Sequence, residues 1–105
     1  MNFPERIRRL EPYSDRFSAF RLRGHDCDVL FASYPAGTSI EPHTHGTENW
    51  GVVIRGELIL EIAGGIERFA PGDWYHVPAH ARHSARFERE TEQIEFWFVQ
   101  APPHA

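Results

Sequence analysis

Glycine and proline interrupt this chain every eight to twelve residues, at Gly24, Pro35-Ala36-Gly37, Gly56, Gly64-Gly65, Pro71-Gly72 and Pro78. Neither residue sits comfortably inside a long helix. The runs between them are short and rich in Val, Ile, Phe, Tyr and Trp. Such punctuation leaves room for many short strands and predicts an all-β barrel or sandwich. Two runs alternate. In Glu57–Ala63, Leu58, Leu60 and Ile62 share one face and Glu57, Ile59 and Glu61 the other. In Gln93–Val99, Ile94, Phe96 and Phe98 oppose Gln93, Glu95, Trp97 and Val99. Strict alternation marks strands with one face in a core. Glu57, Glu61 and Glu95 are expected on solvated outer faces.

The predicted strands lie near 17–22, 28–34, 49–55, 57–63, 66–70, 73–77, 82–88 and 93–99. Gly64-Gly65 is expected to turn a hairpin, and Pro71-Gly72-Asp73 to form another turn. Residues 1–16 carry few strand signals and read as an N-terminal arm, with one helical turn or none between Pro4 and Leu10. The barrel is expected over 17–99, and 100–105 as a frayed tail. With 105 residues, there is room for a single domain and one core.

Charge and composition exclude several functions. All eleven basic side chains are Arg, so no Lys offers a Schiff base. A net charge of −4 argues against nucleic acid or an anionic membrane as partner. Cys27 is the only cysteine, which rules out an intrachain disulfide and suits a reducing compartment. The N-terminus has no apolar segment of signal-peptide type, and no run approaches a membrane span. A cytoplasmic location is the expectation.

The chemistry-bearing stretch is Pro42-His43-Thr44-His45-Gly46-Thr47-Glu48-Asn49. Side chains two apart on an extended segment point the same way, so His43 and His45 aim at one place. Two solvated loop histidines are the plainer reading. A metal site needs more ligands, and His83 stands near the start of a later strand. Asn49 shares the parity of His43 and His45, while Glu48 has the opposite parity. Gly46-Thr47 can reset that register. His76 and His80 lie close by in sequence, His76 on a strand and His80 in a turn. Either could be a structural histidine, or a proton shuttle or a partner orienting a ligand; the strand residue His76 is the better candidate.

At these residues the sequence resembles the cupin family, over roughly 30–99. Its first motif spaces Gly, five residues, His-x-His, three or four residues, Glu, six residues and Gly. Here stand Gly37, His43-Thr44-His45, Asn49 and Gly56 at those intervals. In the second motif Pro-x-Gly is followed after two residues by His and after three more by Asn. Here stand Pro78-Ala79-His80, His83 and Phe87. The resemblance implies a small antiparallel barrel of jelly-roll type, a double-stranded β-helix, with one divalent transition metal ion (Zn, Ni, Fe, Mn or Cu) in its mouth. It implies His43, His45 and His83 as ligands, with Asn49 where the family has Glu. A neutral amide there lowers affinity for a hard ion and favours anionic ligands. By resemblance the chain is a metal-dependent oxygenase or isomerase of a small organic molecule, or a non-catalytic binding or sensing module, and a homodimer.

Overall fold

In a computed structural model of the chain, residues 3–14 and 17–98 are described. Helix α1 (Glu5–Arg8) and β1 (Glu11–Pro12) precede nine longer strands. These are β2 (Ser18–Arg23), β3 (Cys27–Tyr34), β4 (Thr38–His43), β5 (Asn49–Arg55), β6 (Leu58–Ile62), β7 (Gly65–Phe69), β8 (Trp74–Val77), β9 (His83–Phe87) and β10 (Thr91–Phe98). They form two antiparallel sheets, ordered β1-β2-β3-β10-β5-β8 and β4-β9-β6-β7. The all-β expectation holds. The expected strand end at Val99 and the tail lie outside the described residues.

Two strands were not legible in sequence: the two-residue β1, which pairs the expected N-terminal arm with β2, and β4. The β4 residues Thr-Ser-Ile-Glu-Pro-His carry little β signal. Pro42 is tolerated because β4 is an edge of its sheet, where a missing N–H leaves no ladder bond unmade. The β6–β7 hairpin turns on Ala63-Gly64 rather than Gly64-Gly65. Ile62 pairs with Gly65, and both turn residues have positive φ, 53° and 77°. That is the signature of a two-residue type I′ turn, whose twist matches the strands. Ala63 holds a left-handed backbone at a cost of about 1 kcal/mol. Ala63→Asn, which supplies the preferred Asn-Gly pair, is therefore expected to raise the melting temperature by roughly 3–6 °C in thermal unfolding.

The core lies between the sheets. Leu58, Leu60 and Phe87 of the four-stranded sheet meet Ala19, Ala32, Tyr34, Val53, Tyr75 and Val77 of the six-stranded one there. Phe87 stacks on Tyr34 with ring centroids 4.2 Å apart. The two alternating runs behave differently. Leu58 and Leu60 face inward as expected. On β10 the polar set faces inward instead: Thr91, Gln93 and Glu95 are buried. Ile94 and Phe96 turn to the outer face, where Phe96 stacks on Trp74. The expectation that Glu95 is solvated is thus overturned; its residue is 4% exposed. Alternation separates two faces but does not say which is inside.

Candidate metal centre

His43 and His83 are direct partners across β4 and β9. Between Ile40 and His43 the register slips: three steps along β4 match two along β9, from Ala85 to His83. This extra residue is a β-bulge. Simple alternation from the inward-facing Ile40 would point His43 outward; the bulge brings it back to the interior. His45 follows in the loop before β5, held by the His80 amide donating to the His45 carbonyl at 2.7 Å. His80 itself has φ +66°, the left-handed backbone that suits the glycine of the motif.

The three rings converge. The ligand atoms of His43, His45 and His83 all lie within 4.8 Å of one another. His43 Nε2 and His45 Nε2 are 2.8 Å apart. Nitrogen ligands about 2.1 Å from one ion stand roughly 3.0–3.4 Å apart, so the trio needs only small adjustments to share an ion. Two rings are already oriented for it. His43 Nδ1 donates to the Glu41 carbonyl at 2.7 Å, and His83 Nδ1 to the Ala81 carbonyl at 2.9 Å. Fixing the proton on Nδ1 presents the Nε2 lone pair inward. Three neutral imidazoles fit a divalent transition metal.

Asn49 is buried and lines the same inner chamber as the trio. Its Nδ2 donates to the backbone carbonyls of Trp50 at 3.1 Å and Phe96 at 3.2 Å. With the nitrogen committed, Oδ1 is the atom the amide can offer as a ligand. Glu48 turns the other way. Its Oε2 bonds His76 Nε2 at 2.6 Å and accepts from Trp50 Nε1 at 3.1 Å. His76 is not brought to the trio. Trp50 pairs with His76 across β5 and β8, between the inward pairs Asn49–Val77 and Gly51–Tyr75, so both point outward. Their rings stack at 4.1 Å.

Sequence reasoning missed the opposite wall. Glu95 accepts from Tyr34 Oη at 2.6 Å, Gln93 Nε2 at 2.8 Å and Trp97 Nε1 at 3.0 Å. Trp97 meets the His45 ring edge-on at 4.6 Å. The signal was present in the alternation of Gln93, Glu95 and Trp97, assigned to the wrong face. A mouth cavity of about 420 Å³ opens over this wall, His43 and His45. Tyr13, Phe17 and Arg21 also line it, Arg21 being held by Glu11.

Burial is the main cause that lowers His45 to about 4, helped by the neighbouring His43 and His83. Burial also lowers His83, against the pull of the Ala81 carbonyl. Both rings therefore stay neutral, and able to ligate, at neutral pH. The unfolded chain takes up the His45 proton first, near pH 6.5, so folding stability declines as pH falls from there to about 4. The slope is at most about 1.4 kcal/mol per pH unit, reduced because the ring is only partly buried. Melting temperatures of metal-free protein between pH 7 and 4 are expected to fall more steeply for wild type than for His45→Asn.

The family model described as Cupin domain matches residues 30–99. The chain belongs to the cupin family. Cupins commonly bind a metal, and here three histidines lie close together. A curated relative named H2HPP isomerase, from Bacillus subtilis, is 34% identical over 74 residues, 70% of this chain and 31% of the relative. The chain thus spans less than a third of that protein's length. Among solved structures, an RmlC-like cupin from Shewanella frigidimarina superposes with a TM-score of 0.79 at 21% identity, covering 95% of this chain and 90% of the other. KdgF from a Halomonas species gives 0.74 at 21% identity, covering 87% and 86%. These two likenesses speak to the cupin fold alone. Among the described residues no helix is long and apolar enough to cross a membrane.

Proposed function

We propose that this cupin is a metal-dependent enzyme of isomerase type, acting on a small organic molecule held in the mouth of the barrel. The observation that carries this reading is the convergence of three imidazoles, two half-buried and that of His83 buried, two with Nδ1 already committed, beneath a cavity of about 420 Å³. A divalent ion bound there would supply Lewis-acid polarisation of a substrate carbonyl or hydroxyl oxygen. The chain's own residues do the rest. His43, His45 and His83 would hold the ion, with the Asn49 amide oxygen beside them. Tyr13, Phe17 and Trp97 supply apolar walls that exclude water from the bound molecule. The curated isomerase relative favours a proton shift over oxygenation. The test is elemental analysis of untagged protein, followed by a screen of small carbonyl compounds for solvent deuterium incorporation. Metal-dependent incorporation supports the reading. Binding that survives chelation, without turnover, replaces it with the non-catalytic binding module.

The partner in solution is proposed to be a second copy. The outer face of the six-stranded sheet presents Leu22, Phe31, Ile54, Trp74, Ile94 and Phe96, with Leu22, Ile54 and Trp74 exposed. Apolar faces of this kind mark interfaces, and one flat face can meet itself about a two-fold axis. Ile54→Glu, at an exposed position, is expected to convert dimer to monomer in light scattering without unfolding the barrel.

A further inference from the structure

Among the described residues Glu95 is a buried carboxyl with no cationic partner. Its hydrogen-bond donors there, Tyr34, Gln93 and Trp97, are all neutral. A buried carboxyl without a counter-charge is costly, and a glutamine would fill the same space without that cost. It sits on β10 of the six-stranded sheet, across the inner chamber from His43 and His83 on the four-stranded one. Beside it is a second unusual group. Gln93 Nε2 donates to both Tyr75 Oη at 2.9 Å and Glu95, which fixes the amide's orientation. Its Oε1 is then a buried acceptor with no donor among the described residues. Gln93, Glu95, Asn49 and the trio line one inner chamber of about 70 Å³, room for one or two groups the size of water.

We propose that Glu95 is the catalytic acid–base of this site, moving a proton between the carbons of a small α-hydroxycarbonyl compound whose carbonyl oxygen lies at the histidine trio and whose hydroxyl donates to Gln93 Oε1. The inference rests on the isomerase reading above. The Glu95 carboxylate takes the proton from the hydroxyl-bearing carbon. The C–H electron pair becomes the C=C bond, and the carbonyl π pair moves onto oxygen. The hydroxyl proton passes to that oxygen as the new carbonyl forms, and Glu95 returns its proton to the former carbonyl carbon. No oxidant or reductant enters. Tyr34 holds the carboxyl in place throughout.

Burial raises the Glu95 carboxyl above the usual carboxylate range, while the bonds from Tyr34, Gln93 and Trp97 pull it back. That moves it towards the range where a group both takes and gives a proton near neutrality. Among the described residues the titratable groups facing it are Tyr34 from β3 and Tyr75 from β8, with Tyr13, Asp28 and Arg21 further out in the mouth and His43, His45 and His83 across it.

The probe is dihydroxyacetone, the smallest ketone of this class, with zinc-loaded full-length protein in deuterated water and carbon-bound deuterium followed by NMR. Wild type is expected to incorporate deuterium. Glu95→Gln is expected to lose at least about 100-fold of that rate at unchanged zinc content. Tyr34→Phe, which removes a bond favouring the ionised form, is expected to move the acid limb of the pH profile to higher pH. Metal-free protein gives a readout independent of turnover. Its infrared spectrum should keep a carboxylic acid C=O band at pH values where exposed glutamates have ionised. The band should be absent from Glu95→Gln and shifted in Tyr34→Phe. Exchange by Glu95→Gln at the wild-type rate, an unmoved Tyr34→Phe profile, or glutamates that all ionise together overturns the role of Glu95 and leaves the isomerase reading standing. No incorporation by loaded wild type overturns both.

Discussion

His83→Ala is expected to release the metal, lowering affinity by at least about 100-fold in a competition titration against a chromophoric chelator. The size of the effect follows from the proposed ligand set. Three imidazoles and one amide would carry no negative charge, so no carboxylate would compensate for a lost ring. His83 is also the only member of the trio on β9, and its Nδ1 bond to the Ala81 carbonyl fixes the direction of its lone pair. A water replacing it keeps neither. His76→Ala is the matched control. Its ring faces outward against Trp50 and Glu48, so metal content is expected to stay at the wild-type level. Equal metal in wild type and His83→Ala would remove the basis of the metal centre.

Gly51→Ala is expected to destabilise the fold by about 2–3 kcal/mol, the typical cost of overpacking a core. For a domain of this size that is a fall of roughly 10–15 °C in melting temperature. A methyl group at Gly51 would stand 2.3 Å from Cε1, Cζ and Oη of Tyr75. Tyr75 cannot easily move aside: it is buried in the core, and its hydroxyl accepts from Gln93. Gly64→Ala separates crowding from backbone effects. Nothing lies within 4 Å of a methyl group there, and only the positive φ is unfavourable, so a cost of about 1 kcal/mol is expected. Tyr75→Val should restore part of the loss in the Gly51→Ala background, because the two substitutions occupy one space.

Much of the site was legible because its spacing is local. His43-Thr44-His45 aims two rings one way on any extended path, and the Pro-x-His turn before His83 sets a third at the start of a strand. The parity that separates Asn49 from Glu48 could be read along the chain, and the structure places Asn49 in the chamber and Glu48 outside it. Other features were not legible, for identifiable reasons. Strand β4 carries polar residues and a proline, and is a strand only because an edge tolerates them. His76 alternates correctly, but its parity puts it on the outer face.

The sequence by itself determined the all-β class, most strand positions, and the histidines that meet. These depend on turn chemistry and on spacing over a few residues, which act within the chain before any sheet forms. Only the tertiary structure decided which side of β10 is the interior, and so made Glu95 a buried carboxyl rather than a solvated one. The reason is physical. A strand with polar and apolar faces satisfies either orientation locally, and the choice depends on what the other sheet and the outer surface present. The bulge that returns His43 to the interior belongs to the same level, since an extra residue in one strand exists only relative to the partner it is paired with.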